Sequence, residues 1–151
     1  SDEKLARAHQ FGADETINYK ATPEWDRAIL QSTQKRGVTH ILEVGGAATL
    51  SQSLRAAAPG GLIAIIGVLS GTQEPLSILP LLMRSLHLQG IYVGSTAMLR
   101  DLVRFYTDRQ LKPVIDRAFP FTQAADALRE LEAASHFGKI VITLDDDASN
   151  Q

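Results

Sequence analysis

The sequence predicts an α/β protein built on a doubly wound parallel sheet. Three short apolar runs carry that reading, 39–46, 61–67 and 88–94, and each ends in glycine. Strands that are apolar on both sides are covered on both faces, as in a parallel sheet flanked by helices. Stretches with helical spacing separate the runs, and strand alternating with helix implies parallel crossovers. Glycine just past a strand's carboxyl end lets another group approach the backbone closely, and open α/β sheets bind ligands at those ends.

The elements follow in order. Ser1 caps a helix over 2–11, with Asp2 and Glu3 in the first turn where negative charge suits the dipole. Leu5, Ala8 and Phe11 form its apolar stripe, and Gly12 ends it. Residues 15–19 read as a short strand. Thr22 and Pro23 open the next helix, with proline at the first helical position and Gly37 beyond the end. A strand over 39–44 leads to a helix over 47–58 with Leu50, Leu54 and Ala57 inward. Pro59, Gly60 and Gly61 turn the chain into a strand over 62–66, followed by a Gly/Ser/Thr-rich loop over 67–75. A short helix over 77–86 tolerates Pro80 in its first turn. A strand over 88–93 follows, and Thr96 caps a helix to 110 with Leu99, Leu102, Val103 and Tyr106 at helical spacing. After Leu111 the rhythm changes: an extended stretch over 112–121, a helix over 122–134 and a strand over 138–144. Residues 145–151 read as a disordered acidic tail. Ile41, Val44, Ile63, Ile65, Ile91 and Val93 are the expected core.

At 151 residues the chain is long enough for a sizeable core, since a domain of this size buries roughly 68–70% of its unfolded surface. A formal net charge of −2, with no basic run longer than Lys35-Arg36, gives no reason to expect nucleic acid or an anionic membrane as partner. No stretch is long and apolar enough to span a bilayer, and the opening Ser-Asp-Glu-Lys is not a signal peptide. Cysteine is absent, which removes disulfides and thiolate zinc sites and fits a cytoplasmic protein. His9, His40, His87 and His136 lie at unrelated spacings, so no metal site is expected in this chain. Ser51 and Ser53 lack a nucleophile elbow, and the acids at 145–147 lack the glycine and glutamate of a calcium loop.

Several stretches taken together resemble the medium-chain dehydrogenase/reductase family, in its zinc-type alcohol dehydrogenase and quinone oxidoreductase branch. They are Ser1-Asp-Glu-Lys-Leu-Ala-Arg-Ala8 with Phe11-Gly-Ala-Asp14, and then Ile17-Asn-Tyr-Lys20. Further along come Glu43-Val-Gly-Gly46, Gly60-Gly-Leu-Ile63, Gly90-Ile-Tyr-Val-Gly-Ser95 and His136-Phe-Gly-Lys-Ile-Val141. They occur in family order over nearly the whole chain. The resemblance implies a partial Rossmann-type domain over 1–110 and a segment over 111–144 that returns to a catalytic domain. The first βαβ unit with its Gly-x-Gly-x-x-Gly turn would lie before Ser1, making this the carboxyl-terminal part of a larger enzyme.

The same resemblance places a nicotinamide cofactor along the glycine-ended strands. Val44, Gly45 and Gly46, then Gly67 and Val68, then Gly94 and Ser95, are the candidate contacts. The alternative is that these glycines serve only tight strand-to-helix turns. Lys4 opposes the dipole at a helix amino end. With Tyr19 it matches positions that meet the 2′-phosphate in relatives using NADP(H), which favours NADP(H) over NAD(H). A solvated lysine and a half-buried tyrosine form the competing reading. Lys139, after Gly138, matches a tail position that reaches toward the cofactor, or is a surface lysine starting a strand. No residue here is expected to be catalytic, and any zinc ligands would lie outside this chain.

The implied function is the cofactor-binding portion of an NAD(P)H-dependent oxidoreductase acting on an alcohol, carbonyl or quinone-like small molecule. The alternative is a non-catalytic module that only dimerises. The strand over 88–93 would be the last in the sheet, and its free edge suggests a homodimer. The 151-residue chain alone is expected to be inactive and to bind NAD(P)H weakly, because pyrophosphate recognition depends on the first glycine turn.

Overall fold

The computed structural model describes residues 1–144, so the acidic tail over 145–151 lies outside the described residues. The chain forms two compact units that divide between Val93 and Gly94.

In the first unit α1 (Asp2–Gln10) and α2 (Trp25–Ser32) precede three parallel strands, β1 (Val38–Glu43), β2 (Ala57–Ile65) and β3 (His87–Gly90). Helix α3 (Ala47–Ala56) connects β1 to β2, and the short α4 (Leu79–Met83) connects β2 to β3. The strand order is β1-β2-β3, with Ile41 beside Ile63 and Ile63 beside Leu88. This is the parallel α/β architecture that the apolar runs imply.

Helix α1 starts as its composition suggests, with the Ser1 hydroxyl accepting from Lys4 N at 3.4 Å. It ends at Gly12, whose φ of +98° suits glycine. The strand expected over 15–19 does not form. Residues 15–18 have no partner strand among the described residues, and Asn18 begins a turn, accepting from Ala21 N and Thr22 N. Asn18 Nδ2 also donates to Asp2 Oδ1 at 2.7 Å, tying the turn to the first turn of α1. Local alternation cannot make a strand without a ladder to join.

Helix α3 stops at Ala56, short of the expected 58, and β2 absorbs the Pro59-Gly60-Gly61 turn as an irregularity. Val38 faces Ala57 but His40 faces Leu62, so the extra residues of β2 bulge out between those pairs. Arg84 closes the end of α3 by donating from Nη1 to the carbonyls of Arg55 and Ala57, at 2.6 and 2.8 Å. These are the carbonyls that a helix end leaves without partners. Helix α2 is tied to α3 by the buried Asp26, whose Oδ2 accepts from Arg55 Nε at 2.6 Å.

Leu54, Ala57, Ile63 and Leu86 form the core, fringed by Ile41, Leu50, Ile65, Leu81 and Leu88. Three of the six expected core residues are instead exposed: Val44 by 50%, Ile91 by 45% and Val93 by 74%. The last paired triplet is Glu43, Ile65 and Gly90, so these three side chains stand beyond the end of the sheet.

In the second unit α5 (Thr96–Asp108) is followed by β4 (Ile115–Pro120), α6 (Ala124–Ala133) and β5 (Lys139–Thr143). The cap of α5 is Ser95 rather than Thr96: the Ser95 hydroxyl accepts from Met98 N at 3.2 Å. Strands β4 and β5 pair in parallel, joined through α6, with Phe119 and Ala127 buried. Gly138 has a φ of +100°, and a Cβ there would lie 2.5 Å from Val114 O, so glycine is required. No helix among the described residues is long and apolar enough to cross a membrane.

Ile63 is fully buried and Val93 largely exposed. Ile63→Ala is expected to lower unfolding free energy by about 2–5 kcal/mol. Val93→Ala is expected to change it by about 0.5 kcal/mol or less. Urea denaturation monitored by circular dichroism measures both; similar losses would contradict this core.

Candidate functional site

At the carboxyl ends of β1 and β2 two loops are knitted together. Ile66 N and Gly67 N both donate to Glu43 O, at 2.8 and 3.2 Å. A Cβ on Gly67 would sit 2.4 Å from Val44 O, so only glycine permits the approach. Gly46 has a φ of +91°, and its Cβ would lie 2.7 Å from Val68 Cα and 2.8 Å from Gly71 O. The two glycines thus let the β1 turn and the loop after β2 lie backbone against backbone.

Ser70 joins the two loops. Its N and its hydroxyl each donate to Gly45 O at 2.7 Å, and its Oγ accepts from Ala48 N at 3.0 Å. Ala47 N donates to Gly71 O at 3.0 Å. The first N–H groups of α3, which a helix leaves unpaired, are therefore capped by the loop after β2.

Beneath the turn lies Glu43, whose residue is 4% exposed. Its Oε1 accepts from Gly45 N at 2.8 Å, Gly46 N at 3.1 Å and Thr49 Oγ1 at 2.6 Å, while Oε2 accepts from the Ser53 hydroxyl. Burial pushes the carboxyl pKa up. The bonds from Ser53, Thr49, Gly46 and Gly45 outweigh burial and hold it below its ordinary value. Thr49 and Ser53 stand four residues apart on α3 and so share one face.

The expected site residues fall into three places. Val44, Gly45, Gly46, Gly67 and Val68 come together at this edge, with the glycines taken up by the loop contacts and Val44 and Val68 exposed by 50% and 56%. Lys4 lies in the first turn of α1, and Tyr19, 64% exposed, follows Asn18, which bonds Asp2 of that turn. Gly94, Ser95 and Lys139 belong to the second unit. There the Ser95 hydroxyl caps α5, and Lys139 lines an open hollow of about 230 Å³ with His136 and Ile142.

Glu43, Thr49, Ser53 and Ser70 are absent from the sequence-derived set. The available signal was an acid inside an otherwise apolar run: a buried carboxylate must find donors, and hydroxyls at 49 and 53 follow at helical spacing. Among the described residues no group of three or more His, Cys, Asp or Glu is placed to hold a metal ion.

A parallel sheet whose glycine-bearing strand ends meet at one edge is the architecture of nucleotide-dependent dehydrogenases. The chain belongs to the zinc-binding dehydrogenase family, whose profile matches residues 11–142. It is 40% identical over 149 residues to a zinc-type alcohol dehydrogenase-like protein of Schizosaccharomyces pombe, covering 96% of this chain and 43% of that protein. A solved structure of a Sinorhizobium meliloti 1021 protein described as an alcohol dehydrogenase shares 44% identity with a TM-score of 0.87, over 95% of this chain and 42% of that one. The structure of an NAD-dependent alcohol dehydrogenase shares 34% identity with a TM-score of 0.85, over 96% and 42%. The chain thus spans less than half the length of these relatives.

The lowered Glu43 pKa sets a pH dependence. An ionised group favoured in the folded state contributes fully above its unfolded value, here 4.5, and loses that contribution as pH falls through the lower folded value. Glu43→Gln is expected to cost about 1–3 kcal/mol at pH 7 and to flatten the loss of stability below pH 4.5. Thermal midpoints from pH 7 to pH 3 check this; parallel curves for the two proteins would contradict it.

Proposed function

We propose that the chain is the cofactor-binding part of an NAD(P)H-dependent oxidoreductase that moves hydride between nicotinamide and an alcohol, carbonyl or quinone-like substrate. The observation that carries this reading is the joined edge of β1 and β2, where Val44 and Val68 stand exposed over backbone that glycine brings together. Membership of the dehydrogenase family supports it.

The residues present fit part of such a cofactor. An exposed apolar edge suits the uncharged nucleoside portions. The first N–H groups of α3 are already paired with Ser70 and Gly71 and do not fit a pyrophosphate. Recognition of the pyrophosphate, and any zinc, is assigned to residues outside those described. The bound cofactor would supply the hydride chemistry; this chain's part is to position and shield it.

Lys4, in the first turn of α1, and Tyr19, next to the Asn18 that bonds Asp2 of that turn, favour NADP(H) through the 2′-phosphate. The exposed Ile91, Tyr92 and Val93 continue from the edge strand β3 and favour a homodimer through that strand. A dimerising module without cofactor chemistry is the second reading, supported by the same exposed edge.

Nicotinamide fluorescence titration separates these readings. Weak but saturable binding of NADPH supports the first, and absence of binding with a dimeric mass supports the second. Lys4→Ala is expected to weaken NADPH about tenfold, equivalent to about 1.4 kcal/mol, and to leave NADH unchanged; equal effects on both would reject the phosphate role. Light scattering is expected to give twice the mass of one chain, and a monomer would reject the β3 interface.

A further inference from the structure

Two backbone amides before α3 and two hydroxyls on it converge on the Glu43 carboxylate: Gly45 N, Gly46 N, Thr49 Oγ1 and Ser53 Oγ. Successive N–H groups in a turn that contains a positive-φ residue form an anion-binding concavity, and the helix dipole adds to it. A free turn of this kind takes a phosphate, sulfate or carboxylate from solution. Here the concavity is filled from within by a side chain that is 4% exposed.

We propose that Glu43 is a resident anion and a positioning residue: its carboxylate occupies the anion nest of the β1 turn, excludes external phosphate from it, and sets the binding edge formed by Val44 and the loop after β2. The route from carboxylate to edge is short. The carboxylate fixes the N–H groups of Gly45 and Gly46. Gly45 O then receives two bonds from Ser70, and the Glu43 carbonyl receives Ile66 N and Gly67 N. The carboxylate thus fixes the β1 turn with Val44, and the carbonyls of Glu43 and Gly45 carry that order to the loop after β2 with Val68. The positioning half rests on the cofactor reading above; the nest half stands without it.

Chemical rescue tests both halves on the full chain. Glu43→Ala removes the carboxylate and leaves its four donors around a space that formate can fill. Glu43→Gln keeps that space occupied. Thermal midpoint and NADPH dissociation constant are measured for wild type and both variants in rising sodium formate, against sodium chloride at matched ionic strength.

Glu43→Ala is expected to melt lower and to bind NADPH several-fold more weakly, with formate restoring both along one saturation curve and chloride restoring neither. Glu43→Gln is expected to bind NADPH more weakly and not to respond to formate. Equal action of formate and chloride on Glu43→Ala would overturn the nest. Restored melting without restored affinity, or wild-type affinity in Glu43→Gln, would overturn the positioning role. A wild type that binds neither NADPH nor NADH would overturn the cofactor reading and the positioning half, while the melting data still decide the nest. Should Glu43→Ala stay unfolded even in saturating formate, the nest is rejected, and Glu43→Gln decides the positioning role.

Discussion

A carboxylate withdrawn from water must have its hydrogen bonds supplied by the protein, and Glu43 organises the carboxyl edge of the sheet around that requirement. Its side chain sits at the end of β1 and gathers the turn amides of Gly45 and Gly46 together with two hydroxyls of α3. Its own backbone carbonyl receives the chain leaving β2. The strand, the turn, the helix start and the neighbouring loop are thereby joined at one residue. The glycines at 46 and 67 are the steric condition for that junction, since any Cβ there would overlap backbone.

This arrangement changes what the glycine-ended strands mean. Read alone, a glycine beyond a strand suggests space left for a ligand. Here the closest approach at Gly46 and Gly67 is made by the protein's own backbone, and α3 begins already capped. What remains open is apolar: the side chains of Val44 and Val68. On the proposed reading, such an edge would take the uncharged parts of a dinucleotide and leave its phosphates to other donors. That division of labour agrees with a chain that spans less than half of its relatives.

Much of the fold was legible because its signals are local. The apolar runs at 39–44 and 62–66 and the helix between them are set by hydrophobic pattern, and they form close to where that pattern puts them. The misreadings occur where a distant partner decides. Residues 15–19 alternate like a strand but have no ladder to join, and Asn18 turns them toward Asp2 instead. Val44, Ile91 and Val93 share the character of their strands but lie past the last pairing, Val44 and Ile91 by one residue and Val93 by three. Ser95 caps α5 in place of Thr96, a one-residue shift that pattern does not resolve. At the site, the glycine positions were legible and the carboxylate beneath them was not, because pattern treats an acid in an apolar run as an interruption rather than as a hub.

Amide hydrogen exchange at Gly45 and Gly46, followed residue by residue by NMR, tests the organising role of Glu43 most directly. Both N–H groups lie in a turn outside the strand ladder and the helix. A slow rate there requires the bonds to the Glu43 carboxylate. Protection comparable to the core of β2 is expected near neutral pH. Exchange of these two amides at the rate of an unstructured peptide, with β2 still protected, would contradict it.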